Sequence, residues 1–259
     1  MRRSYPDCVP ASLRTVTRAE GTAAAEVDAL VRDLRAGLAA AADPAAAPAM
    51  QAYMKSDLPF YGVRSAGCRK VFSAVIAARP LPDRAAWLAA VRELWDKTTH
   101  REELYAALAV LRDRRYAEHR DPEVLPLYRH VLVTGAWWDV VDDTAAHLVG
   151  PLLLAHPSEV GPVLRAWAVD EDRWLRRTSV IAQLLAKDRT DLDLLTTAID
   201  ANLDDRDFFL RKAIGWALRQ YARTDPDWVR GFVADRGDRL SPLSRREALK
   251  HLGPLLEPA

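Results

Sequence analysis

Residues 208–223, FFLRKAIGWALRQYAR, place apolar side chains at Leu210, Ile214, Ala217, Leu218 and Tyr221. Steps of three and four put these residues on one side of a helix, and the same spacing recurs through most of the chain. It predicts helices near 22–42, 44–57, 64–79, 83–98, 101–118, 121–134, 137–155, 158–169, 172–187, 190–202, 205–223, 225–236 and 242–252. The strand-type alternation of Val, Ile and Thr is almost absent. Between the helical stretches, ARPLPDR, HRDPE, AHPSE, TDPD and LSPLS supply a proline or a capping Asp or Ser where a helix should begin. The pattern predicts an all-α chain.

The starts near Ala136, Asp170 and Asp204 lie 34 residues apart, a period suited to stacked two-helix repeats of the HEAT type. Such solenoids curve and bind extended partners on their concave side. An irregular helical domain is the alternative. Residues 1–20 are less patterned and read as an extension; residues 21–256 read as a single repeat domain.

Three helices carry an odd second face. Opposite the apolar stripe of 208–223 lie Lys212, Trp216, Arg219 and Arg223, a basic row with an indole in its middle and no acid in the segment. Gly215 beside it permits close backbone approach. In DEDRWLRRTSVIAQLLAK, residues 170–187, Trp174, Ile181, Leu184 and Leu185 can face inward, while Arg173 and Arg177, four apart, share the outer side. A guanidinium on a rigid helix suits a phosphate, which it grips with two hydrogen bonds. A solvated face paired with nearby acids is the plainer reading of both rows. In TGAWWDVVDDTA, adjacent tryptophans on a helix point about 100° apart. With Trp137, Val141 and Leu148 as the buried stripe, Trp138 and Asp142 lie together on the other side. Trp138, Arg177 and Trp216 are spaced by 39 and 39 residues, close to one repeat each.

Composition narrows the chemistry. Apolar residues make up 49% and charged residues 28%, an ordinary globular balance, and the net charge of +1 by itself selects no partner. Two cysteines, Cys8 and Cys68, exclude a disulfide framework and a cysteine-rich zinc site. The six histidines lack HExxH spacing, no glycine-rich phosphate loop occurs among eleven glycines, and no nucleophile-elbow context surrounds a serine. No metal or cofactor is expected. The most apolar stretch, LVGPLLLA, is far short of the roughly 20 residues of a membrane span, and no apolar run follows Met1–Arg2–Arg3. The expectation is a cytoplasmic protein with no membrane partner.

The motifs YMKSDLPFYGV (53–63), WWDVVD (137–142), RWLRRTSVIAQL (173–184), FFLRKAIGWALRQYAR (208–223) and LSRREALKH (243–251) together resemble the AlkD-like DNA alkylation-repair glycosylases, over roughly residues 45–252. The resemblance implies a right-curved solenoid of HEAT-like repeats that holds duplex DNA in its concave face. It also implies release of purines alkylated at N3 or N7. The family's catalytic tryptophan–aspartate pair falls on Trp138 and Asp142, its second groove tryptophan on Trp216, and the arginine between them on Arg177. Its YMK tyrosine falls on Tyr53 and a DNA-contacting arginine on Arg219.

A purine alkylated at N3 or N7 is already cationic and leaves as a neutral base. The two carboxylates of ordinary glycoside hydrolysis therefore reduce to one. Asp142 would stabilise the sugar cation and orient water, while Trp138 and Trp216 flank the deoxyribose. Arg173, Arg177, Lys212, Arg219, Arg223 and Tyr53 would hold the DNA. The expected protein is a monomeric, monofunctional DNA glycosylase associated with a bacterial nucleoid when bound to DNA. It would serve base excision repair or self-resistance to a DNA-alkylating natural product. The alternative is a catalytically silent helical-repeat module that binds DNA or protein.

Overall fold

The computed structural model describes the backbone of residues 11–252 and the side chains from residue 21 onward. Among these residues there are fourteen α-helices and no strand, as the spacing of apolar positions predicts. Within them no helix is long and apolar enough to cross a membrane. Of the extension expected over 1–20, residues 1–10 lie outside the described residues, and 11–20 already belong to the first helix. Residues 253–256 likewise lie outside.

Two compact units divide near Tyr116. The N-terminal unit holds α1 (Ala11–Ala40), α2 (Ala47–Met54), α3 (Ser65–Ala78), α4 (Arg84–Asp96) and α5 (Arg101–Arg112). The C-terminal unit holds α6 (Leu125–Gly135), α7 (Trp138–Thr144), α8 (Gly150–Ala155), α9 (Pro157–Trp167), α10 (Arg173–Ile181), α11 (Leu192–Asp200), α12 (Phe208–Tyr221), α13 (Pro226–Arg236) and α14 (Pro242–Ala248). In the latter, α10 packs on α7, α12 on α10 and α14 on α12, with α9 and α11 packed behind α10. That succession is consistent with a helical repeat solenoid.

The punctuation read from the sequence is where the helices begin. Asp83 caps α4, Asp225 caps α13 ahead of Pro226, and Ser241 caps α14 ahead of Pro242. Each accepts a backbone N–H that the first helical turn cannot satisfy, worth about 1 kcal/mol. Asp172, Asp191 and Asp207 do the same for α10, α11 and α12. The stripe on α12 is buried as expected: Leu210, Ile214, Ala217 and Leu218 are all buried, and Tyr221 packs at the edge against Trp228.

Two stretches differ from their expected form. The helix expected over 137–155 is continuous from Trp138, but residues 145–149 widen into a π-helical turn between α7 and α8. Pro151 explains it: lacking an N–H and crowding the carbonyl four residues earlier, it opens the preceding turn. The helix expected over 172–187 stops at Ile181. There the buried amide of Gln183 pairs with both the N–H and the carbonyl of Asp191, at 2.7 and 2.9 Å, and folds the chain back into α11. Leu184 stays inside, but Leu185, expected inward, is 51% exposed.

In the N-terminal unit, buried Glu102 on α5 organises the strap that leads from α2 to α3. Its carboxylate accepts the backbone N–H groups of Tyr61, Gly62 and Val63 at 2.9–3.0 Å. Neighbouring Glu103, also buried, accepts from the Tyr61 hydroxyl, the Thr99 hydroxyl and Arg35. Gly62 takes φ +83°, and a Cβ there would lie 2.1 Å from the Asp43 carbonyl oxygen, so no other residue fits. Cys68 beneath the strap is buried, and desolvation together with the Glu102 charge pushes its thiol up to about 12. A thiol held neutral in this way is not a nucleophile.

Glu102→Gln puts an amide donor where an acceptor stands and leaves one of the three N–H groups without a partner. The variant should lose about 1–3 kcal/mol of stability, read as a lower urea midpoint for the chain. An unchanged midpoint would show that the carboxylate does not hold the strap.

Candidate functional site

Trp138, Asp142 and Trp216 are brought to one groove. It has a volume of about 370 Å³ in the C-terminal unit and is also lined by Asp139, Asp143, His147, Leu184 and Gln220. Trp138 and Asp142 stand one turn apart on α7, and Trp216 faces them from α12. All three are half-buried, with one side packed on the unit and the other on the groove. Trp216 rests against the hydrophobic core that runs from Ala145 to Ala248.

The α6–α7 corner sets this geometry. Ala136 adopts φ +38°, closing α6, and Trp137 follows in extended conformation as the cap of α7. Trp137 is therefore not a helical residue, and the 100° argument does not apply to it. It is half-buried rather than central to the core. Its ring packs 5.5 Å from Phe209 and 6.2 Å from Trp174, which themselves lie 5.0 Å apart. Its indole N–H is buried with no hydrogen-bond partner. The other indole, Trp138, is freed to line the groove.

Behind the groove lies an ion pair. Arg177 Nε and Nη2 donate to the two carboxylate oxygens of Asp142 at 2.7 and 2.8 Å, and Nη1 donates to the Phe209 carbonyl. Arg177 is only 3% exposed. The expectation that it shares the outer side with Arg173 is overturned: Arg173 alone is exposed. Arg177 turns inward because Asp142 on α7 and the first turn of α12 both present acceptors there. Arg173 instead lies over the Trp174 ring at 5.0 Å and pairs with Asp207 at 3.1 Å.

Burial pushes the Asp142 carboxyl above its ordinary range. The Arg177 guanidinium pulls against that shift, and the Asp139 charge adds to it. Asp142 is thus a desolvated carboxylate held in one orientation by a bidentate partner, with each oxygen keeping a lone pair beyond the arginine bond.

The basic row on α12 contains an acid that its own sequence does not reveal. Glu247 of α14 accepts from Lys212 Nζ at 2.6 Å and from Arg219 Nη1 at 2.5 Å. Those hydrogen bonds and charges, led by Lys212, hold the Glu247 carboxyl below the usual range. Gly215 permits the contact, since a Cβ there would lie 2.5 Å from Glu247 Cβ and 2.9 Å from the Ser244 carbonyl oxygen. The REALK stretch could have signalled Glu247 only through knowledge that α14 packs on α12. Arg223, the last member of the row, is exposed. Tyr53 lies in the N-terminal unit near the end of α2, 74% exposed.

Residues 34–252 match the model of a family described as DNA alkylation repair enzyme. Among solved structures, the chain resembles a protein described as a predicted DNA alkylation repair enzyme from Enterococcus faecalis. The two are 30% identical with a TM-score of 0.74, over 82% of this chain and 97% of that one. Among curated proteins none is significantly similar. With the family model covering most of its length, the chain belongs to the DNA alkylation repair enzyme family.

Proposed function

We propose that this protein is a monofunctional DNA N-glycosylase that hydrolyses the glycosidic bond of N3- or N7-alkylated purines in duplex DNA. The observation that carries the reading is the meeting of two indoles and one oriented carboxylate in a single open groove. Two aromatic faces attract a cation by roughly 0.5–2 kcal/mol each. A carboxylate in the same groove favours positive charge further. Such a site fits a deoxyribose ring better as it becomes an oxocarbenium ion than before, and this difference is what accelerates a reaction.

The leaving base carries the positive charge at the start and departs neutral, so no side chain has to protonate it. Asp142 then has two tasks: to stabilise the developing sugar cation, and to orient the attacking water through the lone pairs that Arg177 leaves free. Arg177 serves as a positioning residue, since its donors are committed to Asp142 and the Phe209 carbonyl. The exposed cations Arg173, at the start of α10, and Arg223, just past α12, would flank the DNA backbone, while Lys212 and Arg219 of α12 are already joined to Glu247; Tyr53 is a further DNA contact. Asp139, Asp142 and Asp143 in one groove repel phosphate, which disfavours a module that only binds DNA there.

The reading is tested by release of 7-methylguanine from duplex DNA. Asp142→Asn should lower the maximal rate by about 10²- to 10³-fold with DNA binding retained; release at the wild-type rate would remove Asp142 from the chemistry. Trp216→Ala should lower it by about 2- to 30-fold, the rate equivalent of one cation–π contact, with Trp216→Phe closer to wild type. Full activity in Trp216→Ala would remove the indole from the site.

The same carboxylate sets a pH limb. Asp142 must be ionised to act, and its pKa is raised. Activity should therefore be complete at neutral pH and fall, as pH drops, through a midpoint above the ordinary carboxylate value of about 4. The Asp142→Asn residual rate should lack that limb. A wild-type limb at or below the ordinary value would contradict the desolvated state of the group.

A further inference from the structure

A second cavity, of about 230 Å³, adjoins the groove and shares two of its walls, Leu184 and Gln220. No carboxylate lines it. Its charged residues are Lys187, at the head of a short 3-10 turn six residues beyond α10, and Arg223, just past the end of α12; Thr190 and Thr224 add hydroxyls, and Val180 and Ala217 belong to its apolar floor. Both cations are exposed, and among the described residues neither makes an ion pair or a side-chain hydrogen bond. Lys187 is held in a left-handed turn, φ +54°, and its carbonyl accepts the Thr190 hydroxyl at 2.7 Å. Lys212 and Arg219, on α12 itself, are instead joined to Glu247.

We propose that this cavity is the phosphate seat of the protein: Lys187 and Arg223 together hold a backbone phosphodiester of the bound duplex, while Lys212 and Arg219 contribute little to phosphate binding because Glu247 already occupies them. The proposal rests on the DNA-directed reading of the neighbouring groove. The charges are divided to match the substrate. The groove that faces the sugar carries acids and indoles, and the cavity one wall away carries two unneutralised cations. A phosphate approaching Lys212 or Arg219 must displace or oppose a carboxylate held at 2.5–2.6 Å. One approaching Lys187 and Arg223 displaces only water and counterions.

The test is the salt dependence of duplex binding by the full chain, compared between Lys187→Gln/Arg223→Gln and Lys212→Gln/Arg219→Gln. Each phosphate contact contributes about 0.9 to the slope of log affinity against log salt. With one phosphodiester held by the pair, the first double variant should therefore lose about 0.9 from the slope and bind less tightly at low salt. The second should lose less than half as much. Equal losses, or the reverse order, would overturn the proposal. So would saturable thermal protection by inorganic phosphate that the first variant abolishes without any change in its DNA slope, which would mark a free-anion site. If wild type binds DNA with the expected slope pattern but releases no base, the seat stands and the glycosylase reading fails. A wild type with no affinity for duplex DNA would sink both.

Discussion

The buried Asp142–Arg177 pair is the contact on which the site depends. It joins three helices through one guanidinium: two bonds reach the carboxylate on α7, and the third reaches the first-turn carbonyl of α12. Placing both ions out of water is expensive. That cost is offset by the bidentate contact and by the bond to the Phe209 carbonyl, and breaking either side leaves the other charge stranded. The pair fixes the distance between the helix that carries Trp138 and the one that carries Trp216. The aromatic contacts of Trp137, Trp174 and Phe209 reinforce the same junction from the side away from the groove. The arginine's bonds go to Asp142 and the Phe209 carbonyl, and they hold the geometry of the site.

Helix existence was legible because it is a local property. Capping aspartates, prolines at first turns and three-and-four spacing are written within a few residues, and the starts at Asp83, Asp225 and Ser241 followed from them. What was not legible depends on contacts across the fold. Nothing in SVIAQLLAK marks a stop at Ile181; the stop comes from Gln183 meeting Asp191. Nothing in RWLRRTS separates Arg173 from Arg177; the separation comes from Asp142, 35 residues earlier. Nothing local sets Glu247 and Glu102 apart; their roles come from helices that pack on the cations or backbone they serve. Of the groove, both indoles and the carboxylate were legible through their motif. The neutralised state of Lys212 and Arg219 was not.

Buried carboxylates serve different ends in the two units. Glu102 accepts three successive N–H groups of a strap that cannot form a helix and so supplies the partners a buried backbone needs. Asp142 accepts from a side chain, and this leaves its oxygens partly uncommitted. A carboxylate saturated by backbone donors holds structure. One oriented by a single planar cation, with a face left toward an open groove, is still able to act on a ligand. The contrast between them is sharper than any difference in burial.

On the glycosylase reading, selectivity need not come from shape. A neutral purine is a poor leaving group, and expelling it would require a proton donor near the base. The groove's carboxyl groups are Asp139, Asp142 and Asp143, and the best placed of them is locked to an arginine that favours its ionised form. A site of this kind offers negative charge and π density to the sugar and nothing to the base. It would accelerate only those substrates whose glycosidic bond is already weakened by a charge on the purine. The bulk of the alkyl group would then matter little, because the surfaces that do the work meet the deoxyribose, and an open groove encloses nothing beyond it. On that reading damage would be recognised through lability of the bond, and the protein's part would be to make that lability decisive by holding two indoles and one carboxylate in one groove.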